Sequence, residues 1–246
     1  MKTLEGRTAL VTGGSRGIGA AIATRLATEG AAVALTYQSA RDRAEDVLRA
    51  IRAAGGTAHA IRADLGDPVQ VRDAVAQAAG VLGSIDVLVN NAGLLRHGPI
   101  DELTLDDYAQ TMAVHVQAVF VAVQAALPHM REGGRIISIG SNLAVRVPAP
   151  GFALYAMSKS ALVGLTNGLA RDLGPRGITA ALVHPGSTNT EMNPADAEHA
   201  DSERALVPLG RYAAAEEIAA TVAHLAGPGG AFINGTAVVV DGGANA

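Results

Sequence analysis

Apolar residues recur along this chain in short runs, with glycine and polar clusters between them. Arg7-Thr-Ala-Leu-Val-Thr12 is β-prone and carries little charge, the pattern of a parallel strand buried on both faces. Similar runs predict strands at Ala31–Tyr37, Thr57–Ala63, Ile85–Asn90, Gly134–Ile139, Ile178–Val183 and Thr236–Val240. Helical stretches separate them. Ala20–Ala27 is stopped by Gly30, and a second helix, capped by Ser39, runs to about Ala54 before Gly55-Gly56. Asp67-Pro68 supplies the N-cap and first position of a third. A long helix covers roughly Asp106–Met130, with Pro128 near its end, and another covers about Tyr155–Leu173. Strands alternating with helices predict an α/β fold, a mostly parallel sheet with helices on both faces. No linker or repeat divides residues 1–246, so one domain is expected. The segment Thr190–Arg211 breaks the rhythm. It is polar, acidic and proline-containing, and a long irregular insertion after a strand's carboxyl end is a candidate lid.

Composition narrows the picture. A chain of 246 residues, 49% hydrophobic and 17% charged, can bury a sizeable core. A net charge of −4 argues against a nucleic-acid surface. The absence of cysteine excludes disulfides and thiolate metal sites, and the histidines lack metal-ligand spacing, so no metal is expected. No apolar run reads as long and uninterrupted enough for a membrane span. Met1-Lys-Thr-Leu-Glu-Gly6 enters the first strand at once, which predicts no signal peptide and a soluble cytoplasmic protein.

Two segments carry candidate chemistry. Thr12-Gly-Gly-Ser-Arg-Gly-Ile-Gly19 joins the first strand to a helix N-terminus. Backbone N–H groups there can face a pyrophosphate, and glycine lets it approach closely. A turn without a ligand is the alternative reading, because three residues separate Gly13 from Gly17. Tyr155-Ala-Met-Ser-Lys159 places a phenol and an ammonium four apart, on one face of a helix.

With Asp64, Asn90-Asn-Ala-Gly93, Ser141, and Pro185-Gly186 followed by Thr190, these segments resemble the short-chain dehydrogenase/reductase family over essentially the whole chain, most of all its 3-oxoacyl-carrier-protein-reductase-like and ketone-reductase branches. The resemblance implies a seven-stranded parallel Rossmann sheet, with nicotinamide bound across its carboxyl edge. It implies that Tyr155 exchanges a proton with the carbonyl oxygen, that Lys159 holds the nicotinamide ribose, and that Ser141 donates to the developing oxyanion. An adjacent ammonium and the positive nicotinamide should lower the phenol's pKa. Ser138 and Ser158 are also near in sequence. The family serine usually precedes the tyrosine by one residue fewer than here, and Ser138 should lie inside a strand. The resemblance further implies cofactor contacts from Gly13, Ser15, Arg16, Gly17, Ile18 and Gly19, from Tyr37, Gln38 and Ser39, and from Asp64 and Leu65. Asn91, Ala92, Gly93, Pro185, Gly186, Thr188 and Thr190 complete the set. Asp64 would touch adenine, or simply cap a turn. Asparagine amides at 90 and 91 can tie strand ends together.

Charge argues for NADP(H). An NAD-preferring member tends to end its second strand in Asp or Glu, which repels a 2′-phosphate. Here that place is Tyr37, and Arg16 can face the phosphate, helped by Arg41 or Arg43. One position departs from the pattern: aligning on Phe120 puts His115 where the family carries an asparagine that holds a proton-relaying water. A neutral imidazole could still pass a proton through its two nitrogens. His184 reads as a strand-end structural residue.

The reaction implied is reduction of a small-molecule ketone or 3-oxoacyl carbonyl to a secondary alcohol. Alternatives are a non-catalytic dinucleotide-binding regulator and an NAD-linked alcohol dehydrogenase. Leu94, Leu95, His97, Val147, Phe152, Met192 and Leu206 are candidate pocket residues. A carrier protein is acidic and wants a basic site mouth. Arg131 and Arg176 are available, but the lid bears Asp196, Glu198, Asp201 and Glu203, which favours a small or medium ketone. Met112–Ala126 is apolar nearly all round, and Ala161, Gly164 and Gly168 would allow close helix packing. A homotetramer is therefore expected, as in many relatives.

Overall fold

A computed structural model describes residues 2–246. Its seven strands are β1 (Thr8–Val11), β2 (Ala32–Tyr37), β3 (Ala58–Arg62), β4 (Val87–Asn90), β5 (Arg135–Ile139), β6 (Thr179–Pro185) and β7 (Thr236–Val240). They form one parallel sheet in the order β3-β2-β1-β4-β5-β6-β7. The chain walks outward from β1 to β3, then returns to place β4 beside β1. That reversal opens a crevice at the carboxyl ends of β1 and β4, where open α/β sheets bind ligands.

The strands show why both faces are covered. Along β1, Ala9 and Val11 join the cluster containing Ile22, Leu26, Leu35, Ile218 and Val222. Leu10 points the other way, among Val75, Leu88, Val121 and Ile136. The alternation follows the two-residue period of a strand. The first cluster packs against helices α1 (Gly17–Thr28) and α2 (Arg41–Ala53), and the second against α3 (Pro68–Leu82).

Helix α3 starts as expected. The Asp67 carboxylate accepts from the Val69 N–H at 2.8 Å, with Pro68 in the first turn. Helix α4 (Leu105–Met112) opens on a reciprocal cap between Thr104 and Asp107.

Several expectations need correction. Helix α1 begins at Gly17 rather than Ala20, so the glycine loop supplies its first turn. Ser39 does not cap α2. Ala40 holds that position without a side-chain bond, and Ser39 is exposed one residue too early. The long fourth-to-fifth-strand helix is not continuous. Between α4 and α5 (Ala118–Ala126) lies a single π-helical stretch, Ala113–Gln117, centred on His115. By length and composition Leu105–His129 could cross a membrane, contrary to the sequence expectation. It packs instead as a core element, with Val121, Ala122, Val123 and Ala126 buried.

Helix α6 (Ala153–Leu173) starts two residues before Tyr155. The 190–211 segment includes a short helix, α7 (Ala200–Ala205). Helix α8 (Ala215–Ala226) was not anticipated. The Glu217 carboxylate starts it by accepting from the Ala214 N–H at 2.9 Å while pairing with Arg211.

Candidate active site

The glycine loop turns over the carboxyl end of β1. Gly13 has φ +65°, and a Cβ there would lie 2.9 Å from the Ala92 Cα. A Cβ on Gly19 would lie 2.2 Å from the Gly13 carbonyl oxygen. Only glycine permits both the turn and this closeness. Asn91 ties the loop to β4: its amide donates to the Thr12 and Gly13 carbonyls at 2.9 and 3.1 Å. The Thr12 hydroxyl accepts from the N–H groups of Asn91 and Ala92. Asn90 instead donates to the Ser138 hydroxyl across the sheet at 3.3 Å. The N–H groups of Gly17, Ile18 and Gly19 therefore open α1 into the crevice without intrahelical acceptors. These residues fit a diphosphate.

Arg16 caps α1 with an extended backbone, and Arg43 lies in the first turn of α2. Both flank Tyr37, Gln38 and Ser39, where no carboxylate stands. That donor set also fits a phosphate on the adenosine ribose. Asp64 closes a turn, its Oδ1 accepting from the Gly66 N–H at 2.9 Å; its other oxygen is not used in that bond. Leu65 is half-buried beside it. Across the crevice, Pro185 ends β6 beside Val240, and the Gly186 N–H donates to the Val240 carbonyl at 2.9 Å. Thr188 is buried, with its hydroxyl donating to the Gly186 carbonyl. The Thr190 hydroxyl accepts from the Asn193 N–H.

Helix α6 carries the phenol and the ammonium. Lys159 is only 4% exposed and donates to the Ile139 carbonyl at 3.0 Å. Burial without a compensating carboxylate brings its pKa down to about 8. Its Nζ lies 5.8 Å from the Tyr155 ring centroid. Burial raises the pKa of the phenol, and hydrogen bonding from Ser141 only partly opposes it. This corrects the expectation of a lowered pKa. Lys159 aims at Ile139 rather than at the phenol oxygen, so loss of solvation dominates.

The three nearby serines separate cleanly. Ser138 lies inside β5, accepting from Asn90. The Ser158 hydroxyl donates to the Tyr155 carbonyl at 2.7 Å. Ser141 alone reaches the phenol. Its oxygen accepts from the Leu143 N–H at 3.1 Å, which leaves its own proton for the crevice. Its backbone N–H donates to His184 Nδ1 at 3.0 Å, so His184 is the structural strand-end residue expected. Burial, then the charge of Lys159, lowers the pKa of His184.

His115 differs from its expected role. Its Nε2 accepts from the Leu94 N–H at 3.0 Å, and its Nδ1 lies 2.8 Å from the Ser158 hydroxyl. Ser158 gives its proton to Tyr155, so it must accept from Nδ1–H. The ring is thus one neutral tautomer with both nitrogens engaged. Burial, then the charge of Lys159, lowers its pKa to about 3. The ring braces the loop after β4 against α6 and has no free nitrogen through which to pass a proton. A π-turn is what allows a side chain in mid-helix to reach both partners, and such turns gather at functional sites.

The expected pocket residues lie on segments that follow the carboxyl ends of β4, β5 and β6. His97 and Phe152 pack edge to face at 4.6 Å. Leu95, Val147, Met192 and Leu206 are exposed apolar side chains on these segments. Arg131 and Arg176 are not on them. They precede β5 and β6 at the opposite edge of the sheet, where Arg176 donates to the Leu127 and Met130 carbonyls.

The sequence reading missed the role of Glu203, whose Oε2 accepts from Ser187, Asn193 and Tyr212 at 2.5, 2.8 and 3.0 Å. These bonds hold its pKa down against the effect of burial. They anchor the 190–211 segment to the loop after β6. Among the described residues, no cluster of three His, Asp or Glu side chains could hold a metal.

Comparison with known proteins places this geometry. Residues 13–245 match a family model described as enoyl-(acyl carrier protein) reductase. The chain is 58% identical to a short-chain dehydrogenase from Burkholderia cenocepacia solved in complex with NADP, covering 99% of this chain and 100% of that one, with a TM-score of 0.98. It is 43% identical to the cyclic-di-GMP-binding biofilm dispersal mediator protein of Escherichia coli, over 98% of both chains. It is 36% identical to a hydroxynaphthalene reductase-like protein of Metarhizium guizhouense, over 98% of this chain and 96% of that one. The chain belongs to the short-chain dehydrogenase/reductase family.

Proposed function

We propose that this oxidoreductase is an NADP(H)-dependent carbonyl reductase acting on small or medium ketones. One observation carries the reading: Tyr155, Ser141 and buried Lys159 converge at the carboxyl ends of β5 and β6. A bound nicotinamide supplies the hydride. Ser141 donates a hydrogen bond to the carbonyl oxygen and favours its developing charge. Tyr155 gives its proton to that oxygen. Lys159, fixed by the Ile139 carbonyl, stabilises the phenolate left behind and can hold the cofactor's ribose. The test is a panel of ketones with NADPH and NADH, followed at the nicotinamide absorbance. No turnover on any ketone, with the cofactor still bound, would leave the regulator reading standing. That second reading draws on the name of the E. coli relative; the complete Ser141–Tyr155–Lys159 set weighs against it.

The cofactor assignment rests on Arg16 and Arg43 around a strand end that lacks an acid, and on the NADP complex of the Burkholderia relative. Tyr37→Asp is expected to shift the ratio of NADPH to NADH efficiency by tenfold or more, because a charge-assisted contact contributes on the order of 1.5–3 kcal/mol. A wild-type preference for NADH would refute the assignment.

We further propose a homotetramer, supported by the helical surface, and a cytoplasmic location. Met112, Ala113, Val116, Phe120 and Leu165 line an apolar hollow of about 410 Å³ on the outer side of α4 to α6. Gly164 and Gly168 face open space. Burying this face against a second copy would remove the exposure of Phe120, which is 50% accessible. Light scattering at micromolar concentration should give four subunits, and a monomer would contradict this.

A further inference from the structure

The two arginines assigned to the 2′-phosphate already share an anion. Glu191, the residue after Thr190, extends one carboxylate oxygen to Arg43 and the other to Arg16 Nη1 at 3.7 Å. Among the described residues, neither arginine has another carboxylate partner. All three side chains are at least half exposed, at 62% for Arg16, 51% for Arg43 and 50% for Glu191. Arg16 comes from the glycine loop, Arg43 from α2, and Glu191 from the start of the acidic segment. Three distant parts of the chain meet on one charge.

We propose that Glu191 is an internal occupant of the 2′-phosphate site, displaced by NADP(H) and left in place by NAD(H). The inference rests on the NADP(H) reading above. A solvated carboxylate paired with exposed guanidiniums is weakly held. A phosphate monoester carries nearly twice its charge and offers three acceptor oxygens, so it wins the exchange. A ribose hydroxyl has no charge with which to compete. Glu191 therefore lowers affinity for the preferred cofactor while linking its arrival to the chain beside it. That chain is a tight turn, closed by reciprocal bonds between the Thr190 and Asn193 backbones. The Thr190 methyl lies 3.3 Å from the Cβ position of Gly17, against the glycine loop. The turn also carries Met192, an exposed apolar side chain. Beyond it, Glu203 pins Asn193, Ser187 and Tyr212. Release of Glu191 frees residues 190–192 and leaves Asn193 and α7 anchored.

The experiment uses adenosine 2′,5′-bisphosphate and adenosine 5′-monophosphate as probes, titrated calorimetrically into wild type and Glu191→Gln. Removing two exposed ion pairs should raise affinity for the bisphosphate by about 3- to 10-fold and leave monophosphate affinity unchanged. In wild type, the bisphosphate should speed amide hydrogen exchange at 190–192 but not at 200–205, and the monophosphate should change neither segment. Unchanged or weaker bisphosphate binding by Glu191→Gln overturns the proposal, as does an equal gain for both probes. If wild type binds the two probes equally, the NADP(H) reading itself fails. If wild type prefers the bisphosphate and the variant behaves identically, only the role of Glu191 fails.

Discussion

Replacing Tyr155 with phenylalanine is expected to lower turnover by about 10²–10⁴-fold, the usual contribution of a positioned general acid, while NADPH affinity stays within about twofold. The ring remains in α6 and only the proton donor is lost. Lys159→Ala should instead damage both quantities, because in the proposed mechanism the ammonium would stabilise the phenolate and hold the cofactor's ribose. Steady-state rates, together with nicotinamide fluorescence on binding, separate the two outcomes. Near-normal reduction by Tyr155→Phe would remove the phenol from the mechanism.

The second large effect concerns acid stability. His115 is neutral in the fold, with a pKa of about 3 against an ordinary 6.5. Below pH 6.5 the unfolded chain takes up a proton that the folded protein refuses. Stability is therefore lost as the pH falls from about 6.5 towards 3. Between pH 7 and pH 5 this linkage should cost wild type about 2 kcal/mol more than it costs His115→Asn. At neutral pH the variant should be the less stable, by about 1–3 kcal/mol, because the Leu94 N–H and the Ser158 hydroxyl lose their shared partner. His184 also resists protonation, but it does so in both proteins and cancels. Denaturant unfolding at the two pH values measures the difference. Parallel losses in wild type and variant would mean that His115 accepts a proton in the folded state.

The sheet was legible because buried parallel strands are short apolar runs set apart by glycine, and all seven predicted runs are strands. The two chemical segments were legible for a different reason. A glycine loop and a four-residue phenol-to-ammonium spacing are local patterns, complete within a few positions. What the chain hid was either weakly patterned or non-local. Helix α8 has an alanine-rich start, and its opening depends on Glu217 reaching both Ala214 and Arg211. The π-turn at His115 leaves no mark on hydrophobic spacing, and the bond its imidazole accepts comes from Leu94, 21 positions away. Ser39 lies one residue from the true cap, a distance that composition does not resolve. Glu203 reads in sequence as an ordinary member of an acidic stretch, and Glu191 carries no pattern of its own. Their partners, Arg16, Arg43, Ser187 and Tyr212, come together only when the chain folds.

The setting of Lys159 also bears on how such an enzyme can change. Among the described residues its only acceptor is a main-chain carbonyl of β5, which no point substitution can remove by altering a side chain. The placement of the ammonium is therefore held by the main chain of a buried strand, which mutation reaches only at the expense of the core. Leu95, Val147, Met192 and Leu206 stand in solvent on the segments that follow β4, β5 and β6, where exchanges cost little stability. Reaction and substrate range are written in separate inks, one fixed in the frame of the sheet and one freely revised at its edge.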